Sequence, residues 1–269
     1  MTLGQRRRSV VITEADGPGR RLAARVVEAG HDARMLPVVA HGPAPDLAPL
    51  VAALARLPEY GWVAFTSARA VDAVCAFDEW SRWPWGTAER PRVAAVGPVT
   101  RAVLLTHGVP VALCPEIPGA RALAQAMIDA EGGSLAGRTV FWPKSNLARP
   151  DFGDALRAAG AVLVEPVSYS TTAVRPPDLA DILRDLADGR IDCVAFFSPS
   201  GAANLAAVMP DGTLSALAGR TLVASVGPAT SAALAGLGAP AAVEAESRTA
   251  GGLAAALLSY LGSNDWNPP

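Results

Sequence analysis

The sequence predicts an α/β fold: two doubly wound parallel-sheet domains, related by internal duplication and joined by a two-stranded β-ladder. Three observations predict it. First, the chain repeats itself at a nearly constant offset of 130 or 131 residues. Val63-Ala64-Phe65-Thr66-Ser67 returns as Val194-Ala195-Phe196-Phe197-Ser198, and Val96-Gly97-Pro98-Val99-Thr100 as Val226-Gly227-Pro228-Ala229-Thr230. Val10-Val11-Ile12 answers to Val140-Phe141-Trp142, Gly30 to Gly160, and Leu123 to Leu253. A period this long means duplicated domains rather than a solenoid. Second, short apolar runs without alternation are separated by segments of helical spacing, the pattern of a parallel sheet covered on both faces. Third, two extended segments, each with a proline, occupy equivalent places in the two halves.

Each element has a local reason. Ser9 to Thr13 is a β-branched run, followed by Asp16, Gly17, Pro18 and Gly19. Leu22, Val26 and Val27 then recur at helical spacing, with Gly30 as the stop. Arg34 to Ala40 reads as a strand, as do Trp62 to Phe65, Val93 to Val96 and Val109 to Leu113. Helices are expected near 68–77, 98–107 and 119–130. Met35-Leu36-Pro37-Val38-Val39 and Val162 to Tyr169 are the proline-bearing extended segments, and proline within a strand favours an edge or an isolated ladder. They are read as the two crossings between domains. The expected division is residues 1–36 plus 173–269 for a discontinuous first domain, 42–165 for the second, and 37–41 and 166–172 for the linkers. Two crossings by extended chain would make a hinge facing a cleft.

Composition removes several classes of function. At 269 residues the chain suits two domains, and with 51% hydrophobic and 18% charged residues it can build packed cores. Net charge is -2, which leaves no basic field for coating nucleic acid. Lys144 is the single lysine. Cys75, Cys114 and Cys193 are odd in number and widely spaced, against a disulfide framework or zinc site and in keeping with a reducing cytosol. The basic start, MTLGQRRRSV, has no apolar stretch behind it, so it does not read as a signal peptide. Thr221 to Val243 is uncharged, but Gly227-Pro228, Gly236, Gly238 and Pro240 break it into globular pieces. No membrane segment and no obligate oligomer are expected.

The residues just after each strand are the candidate site, because open parallel sheets bind ligands beyond the carboxyl ends of their strands. Four such turns are rich in hydroxyls and glycine: Thr66-Ser67-Ala68, Gly97-Pro98-Val99-Thr100, Ser198-Pro199-Ser200-Gly201 and Gly227-Pro228-Ala229-Thr230. Each leads into a helix whose free N–H groups attract anions. Any one of these hydroxyls can equally be a helix cap. Gly17-Pro18-Gly19 lacks the third glycine of a dinucleotide fingerprint, since Leu22 stands there, and no P-loop or G-x-S-x-G elbow occurs. His31, His41 and His107 lack ligand spacing and are assigned structural or surface roles. Trp80, Trp83 and Trp85 read as a packed loop rather than a base-stacking platform.

With these residues in place, the pattern resembles the uroporphyrinogen-III synthase family. The cues span nearly the whole chain: Phe65-Thr66-Ser67-Ala68-Arg69-Ala70-Val71, Val96-Gly97 with Thr100, and Gly137 before Val140-Phe141-Trp142. They continue with Arg149, Tyr169 with Thr171, Phe197-Ser198-Pro199-Ser200, and Val226-Gly227-Pro228 with Thr230. The resemblance implies two α/β domains on a two-stranded ladder. It also implies a lyase reaction: hydroxymethylbilane, a linear tetrapyrrole with eight carboxylates, closes to uroporphyrinogen III with ring D inverted and water lost. It implies no metal or organic cofactor and a small-molecule partner only. Tyr169 matches the family tyrosine beside the cleft, a donor to the departing hydroxyl or a packing residue of the ladder. Thr66, Ser67, Arg69, Gly97, Thr100, Ser198, Ser200, Gly227 and Thr230 fall on the candidate turns. Lys144 and Arg149 fall where carboxylate-pairing arginines recur.

Three positions depart from the pattern: Glu14 stands where relatives carry Arg, Arg69 where Asn is frequent, and Pro150 where an acidic residue is common. A carboxylate at Glu14 would repel the substrate unless it points away or pairs with Arg20. The other function classes the sequence admits are a non-catalytic two-lobed anion-binding or regulatory module and a two-domain glycosyltransferase. The latter normally needs a longer chain and a nucleotide signature.

Overall fold

A computed structural model describes residues 6–85, 91–210, 213–217 and 219–262. The chain begins with β1 (Ser9–Ile12), α1 (Gly17–Glu28), β2 (Asp32–Met35) and β3 (Val39–Pro43). The middle supplies α2 (Ala48–Leu54), β4 (Trp62–Phe65), α3 (Ala68–Cys75), α4 (Asp78–Ser81), β5 (Arg92–Ala95), α5 (Pro98–Thr106) and α6 (Ala120–Ala130). It continues through β6 (Thr139–Phe141), β7 (Lys144–Ser145), α7 (Asp151–Ala158), β8 (Val162–Val164) and β9 (Val167–Ala173). The rest is α8 (Leu179–Ala187), β10 (Cys193–Phe196), α9 (Pro199–Val208), α10 (Thr213–Leu217), β11 (Leu222–Ser225), α11 (Pro228–Gly236), β12 (Val243–Glu244) and α12 (Ala250–Gly262).

These elements form two compact units, a terminal one (Met1–Ala40 with Thr172–Pro269) and a central one (His41–Thr171). The terminal unit holds a sheet of order β12-β11-β10-β1-β2, and the central unit one of order β5-β4-β6-β8. All their registered pairs are parallel. Both β10 and β4 are buried along their whole length, as continuous apolar runs in a parallel sheet should be. Successive side chains point to opposite faces and feed two clusters per sheet. In the terminal unit, Val11, Val194, Phe196 and Val223 pack on one face, with Val10, Ile12, Ala195 and Ala224 on the other. In the central unit, Val63, Phe65, Val93 and Phe141 oppose Trp62, Ala64, Val140 and Trp142. Each such large side chain contributes about 1.5–3 kcal/mol on burial.

The repeat holds to the level of register. Val10 pairs with Cys193 and with Ala33, and the residues 130 or 131 away do the same: Val140 pairs with Trp62 and with Leu163. Cys193 pairs with Leu222 as Trp62 does with Arg92. The run 109–113, expected as a strand, makes only one bridge, Leu113 to Ala94, where its counterpart Val243 pairs with Ala224. Such a bridge lies at the rim, where a full strand has only one neighbour to hold it.

The expected strand 34–40 is broken. Pro37 lies between β2 and β3, and Pro166 likewise separates β8 from β9. Proline lacks the N–H a ladder needs, so each segment leaves its sheet there. The two crossings pair with each other, and β7 adds a third strand to what was expected as a two-stranded ladder, giving the order β3-β9-β7. Among the described residues, no helix is long and apolar enough to cross a membrane. The uncharged stretch from Thr221 resolves into β11, α11 and the approach to β12.

Candidate functional site

In both units the candidate turns follow the carboxyl ends of sheet strands. In the central unit, Ser67 is the N-cap of α3: its Oγ accepts the Ala70 N–H at 3.2 Å. The same oxygen lies 3.2 Å from Tyr169 Oη, which donates to it. Thr66 beside it accepts the indole N–H of Trp142 at 3.0 Å. Gly97 is the N-cap of α5, with Pro98 in the first turn and Thr100 buried behind it. A side chain at Gly97 would meet Pro118 Cβ at 2.8 Å. The loop therefore closes tightly over this helix start, and glycine is what lets it.

Tyr169 projects from β9, and four hydrogen-bond contacts fix that strand. Asn146 accepts the Thr171 N–H at 2.7 Å and donates to the Thr171 carbonyl at 3.1 Å, so its amide acts as a ladder partner. The Asn146 N–H donates to the Tyr169 carbonyl at 3.3 Å. His41 Nδ1 sits 3.1 Å from Thr171 Oγ1, with its ring tilted against Tyr169 at 6.3 Å. Tyr169, His41 and Arg69 share the lining of one open hollow of about 470 Å³ within this unit.

Lys144 and Arg149 separate. Lys144 Nζ lies 2.8 Å from Glu165 Oε2 and 5.1 Å from the centre of the Trp142 ring. Glu165 also binds Arg157, so two cations share that carboxylate. Arg149 is exposed, just before Pro150 and the start of α7.

In the terminal unit, Ser198 caps α9 by accepting the Gly201 N–H at 3.0 Å, and its hydroxyl touches that of Ser200 at 3.1 Å. Gly227 opens α11, with Pro228 in the first turn and Thr230 buried. Arg248 covers Gly227, its Cγ 3.1 Å from where a side chain there would begin. Glu14 does not reach Arg20. Its carboxylate accepts the Asp16 N–H at 3.2 Å, while Arg20 donates to the Ala15 carbonyl.

Sequence reasoning gave His41 a structural or surface role and passed over Asn146 and Arg248. The repeat held a signal for the last, because Arg248 stands 130 residues after Pro118 and each lies against the glycine of its own turn. Outside the turns, two thiols are shifted by their surroundings. Burial pushes Cys75 up to about 11 and Cys193 higher still. Trp80 is a core residue, edge-on to Phe65 at 5.5 Å.

What these features define is an internally duplicated, doubly wound α/β protein with hydroxyl- and glycine-rich helix starts at the ligand-binding ends of its sheets. Residues 20–255 match the family described as Uroporphyrinogen-III synthase HemD. The uroporphyrinogen-III synthase of Synechococcus elongatus is 27% identical over 263 residues, covering 94% of this chain and 95% of its own. A mutant uroporphyrinogen III synthase from Thermus thermophilus superposes with a TM-score of 0.65 at 17% identity, covering 94% of this chain and 97% of that one. The Helicobacter pylori uroporphyrinogen-III synthetase gives 0.56 at 14% identity, covering 94% and 99%. At such identities the structures speak for the fold. The chain belongs to the uroporphyrinogen-III synthase family, cofactor-independent cyclising lyases of haem biosynthesis that act on a tetrapyrrole.

Proposed function

We propose that the chain converts hydroxymethylbilane into uroporphyrinogen III, with Tyr169 as the donor to the leaving hydroxyl. The reading is carried by the 3.2 Å contact between Tyr169 Oη and the capping hydroxyl of Ser67. Ser67 Oγ accepts from both Tyr169 and the Ala70 N–H, which leaves its own proton to be directed elsewhere. When substrate arrives, that proton can turn onto the tyrosine oxygen while Tyr169 donates to the hydroxymethyl oxygen. Carbon–oxygen cleavage then releases water and leaves an azafulvene cation on the terminal pyrrole. Attack by the substituted α-carbon of ring D gives the spiro intermediate, and its rearrangement inverts that ring. The unassisted cation closes without inversion, so the main work of the protein is to make the inverting attack the nearest one. Proton delivery by a placed side chain adds about 10²–10⁴-fold.

The substrate's carboxylates are matched to helix starts and hydroxyls: Thr66, Ser67, Gly97 and Thr100 in one unit, Ser198, Ser200, Gly227 and Thr230 in the other. Lys144, Arg149 and Arg69 supply formal charge. We take the linkers as residues 37–41 and 166–172 and the working form as a cytoplasmic monomer without nucleic-acid partners. The test is to supply hydroxymethylbilane and separate the product isomers. Excess isomer III supports the reading, and isomer I alone from folded protein rejects it.

A further inference from the structure

The hollow beside Tyr169 is larger than a tyrosine's proton transfer requires. At about 470 Å³ it lies toward the small end of the roughly 300–1,000 Å³ typical of small-molecule sites. A whole tetrapyrrole does not fit such a volume, but one pyrrole ring with its arms does. Its wall is one face of α3: Arg69, Asp72, Ala73 and Ala76 recur at three- and four-residue spacing, so they stand above one another. Leu47 and Phe77 complete an apolar surface.

We propose that this hollow seats the hydroxymethyl-bearing pyrrole ring of the substrate, with a carboxylate arm on Arg69. The inference rests on the reaction proposed above. The ring carrying the leaving hydroxyl is one carbon away from it, so a donor at Tyr169 requires that ring within a few ångströms of Tyr169. The hollow that Tyr169 itself lines is a concave surface there. Its chemistry fits a pyrrole: small and apolar side chains for the ring face, a guanidinium for an acetate or propionate, and the Asp72 carboxylate as an acceptor for the ring N–H. Asp72 also faces His107, whose Nε2 is 3.5 Å away, so its charge is set against a neighbouring imidazole. Arg69 then becomes a specificity determinant of this site.

Two measurements test the assignment. In turnover, Arg69→Gln should raise KM for hydroxymethylbilane about tenfold, the scale of one lost charge-assisted hydrogen bond. Ala73→Phe, which fills the hollow, should raise it further, while Arg101→Gln on α5 outside the hollow leaves it within twofold. In calorimetry, porphobilinogen, a single pyrrole with one acetate and one propionate, should bind the unaltered protein. Its affinity should fall about tenfold in Arg69→Gln and vanish in Ala73→Phe, with melting temperatures checking that both variants fold. Unchanged KM in both variants, or monopyrrole binding that survives both, overturns the hollow assignment while isomer III from the unaltered protein keeps the reaction. Isomer I alone from the unaltered protein overturns the reaction and the assignment with it.

Discussion

In the terminal unit the chain leaves β1 at Ile12 and is helical again by Gly17. In the central unit it leaves β6 at Phe141 and does not enter α7 until Asp151. The strands on either side keep the same register in both units, so the difference is confined to one loop. In the terminal unit that loop folds on itself, with Glu14 holding the Asp16 N–H. Gly19 lies so close that a Cβ there would fall 1.6 Å from the Glu14 carbonyl oxygen. In the central unit the position 130 residues on is Arg149, the first helical turn is missing, and the freed residues make β7 and the Asn146 amide ladder. A duplicated scaffold has become asymmetric at this loop. One copy keeps a tight strand-to-helix turn, and the other gives up a helical turn to brace the strand that carries Tyr169.

The largest expected effect breaks that asymmetry at its centre. Tyr169→Phe keeps the ring and should lower kcat for isomer III about 10²-fold or more with little change in melting temperature. A kcat within twofold of the unaltered protein removes Tyr169 from the chemistry. Next comes the pole opposite the candidate turns, where each unit has an ionic lock. Arg8 meets Asp192 at 3.1 Å in the terminal unit, where Asp192 also accepts the Ser9 N–H at 2.8 Å. Its counterpart Arg138 meets Glu131 at 2.7 Å in the central unit, and Glu131 also accepts from Arg92 and from the Trp62 indole. Glu131→Ala strands three buried or half-buried donors and should cost about 3 kcal/mol in chemical denaturation, more than Asp192→Ala. Equal costs would mean the extra partners contribute nothing.

One carboxyl in each unit, Glu131 of the central lock and Asp185 on α8, also sets acid stability. Burial acts against the Glu131 charge, but hydrogen bonds from Arg138 and Trp62 and the nearby guanidinium charges prevail and hold its carboxyl below the ordinary 4.5. In the terminal unit, hydrogen bonds from Arg34 and Arg190 hold Asp185 below 3.8. A carboxyl depressed by folding stabilises fully above its unfolded value and loses that contribution as pH falls through the folded one. Amide exchange should therefore rise first in the central unit below about pH 4.5, and in the terminal unit below about pH 3.8. Exchange that rises first around β10 and β11 would contradict this order.

Much of the scaffold was legible in the sequence because parallel strands buried on both faces leave apolar runs, and a duplication prints them twice. The match of Val63-Ala64-Phe65-Thr66-Ser67 to Val194-Ala195-Phe196-Phe197-Ser198 located both sheets, and Pro37 and Pro166 marked where the chain leaves them. From the residues alone the candidate site was legible as turns, and Tyr169 entered through the family resemblance. A two-residue strand such as β7 has no period to detect, and the late start of α7 depends on what β7 pairs with. The Tyr169–Ser67 bond joins residues 102 apart, and the His41–Thr171 contact residues 130 apart, so neither leaves a local trace.

The smallest effect sharpens the comparison at the paired glycines. Gly97→Ala meets the rigid Pro118 ring and should cost about 1–3 kcal/mol. Gly227→Ala meets the flexible stem of Arg248, but its φ of +157° is one that side chains rarely adopt, so in melting temperature it should cost as much as Gly97→Ala or more.

The most direct measurement is the steady-state kinetics of isomer III formation for Ser67→Ala and Ser198→Ala side by side. Both serines cap equivalent helices, so loss of the cap alone costs each about 1 kcal/mol of stability. If the central unit carries the proton donor as well as holding substrate and the terminal unit only holds it, Ser67→Ala lowers kcat about tenfold and also raises KM, whereas Ser198→Ala raises KM with kcat retained. The same kinetic change in both variants would contradict the division of labour.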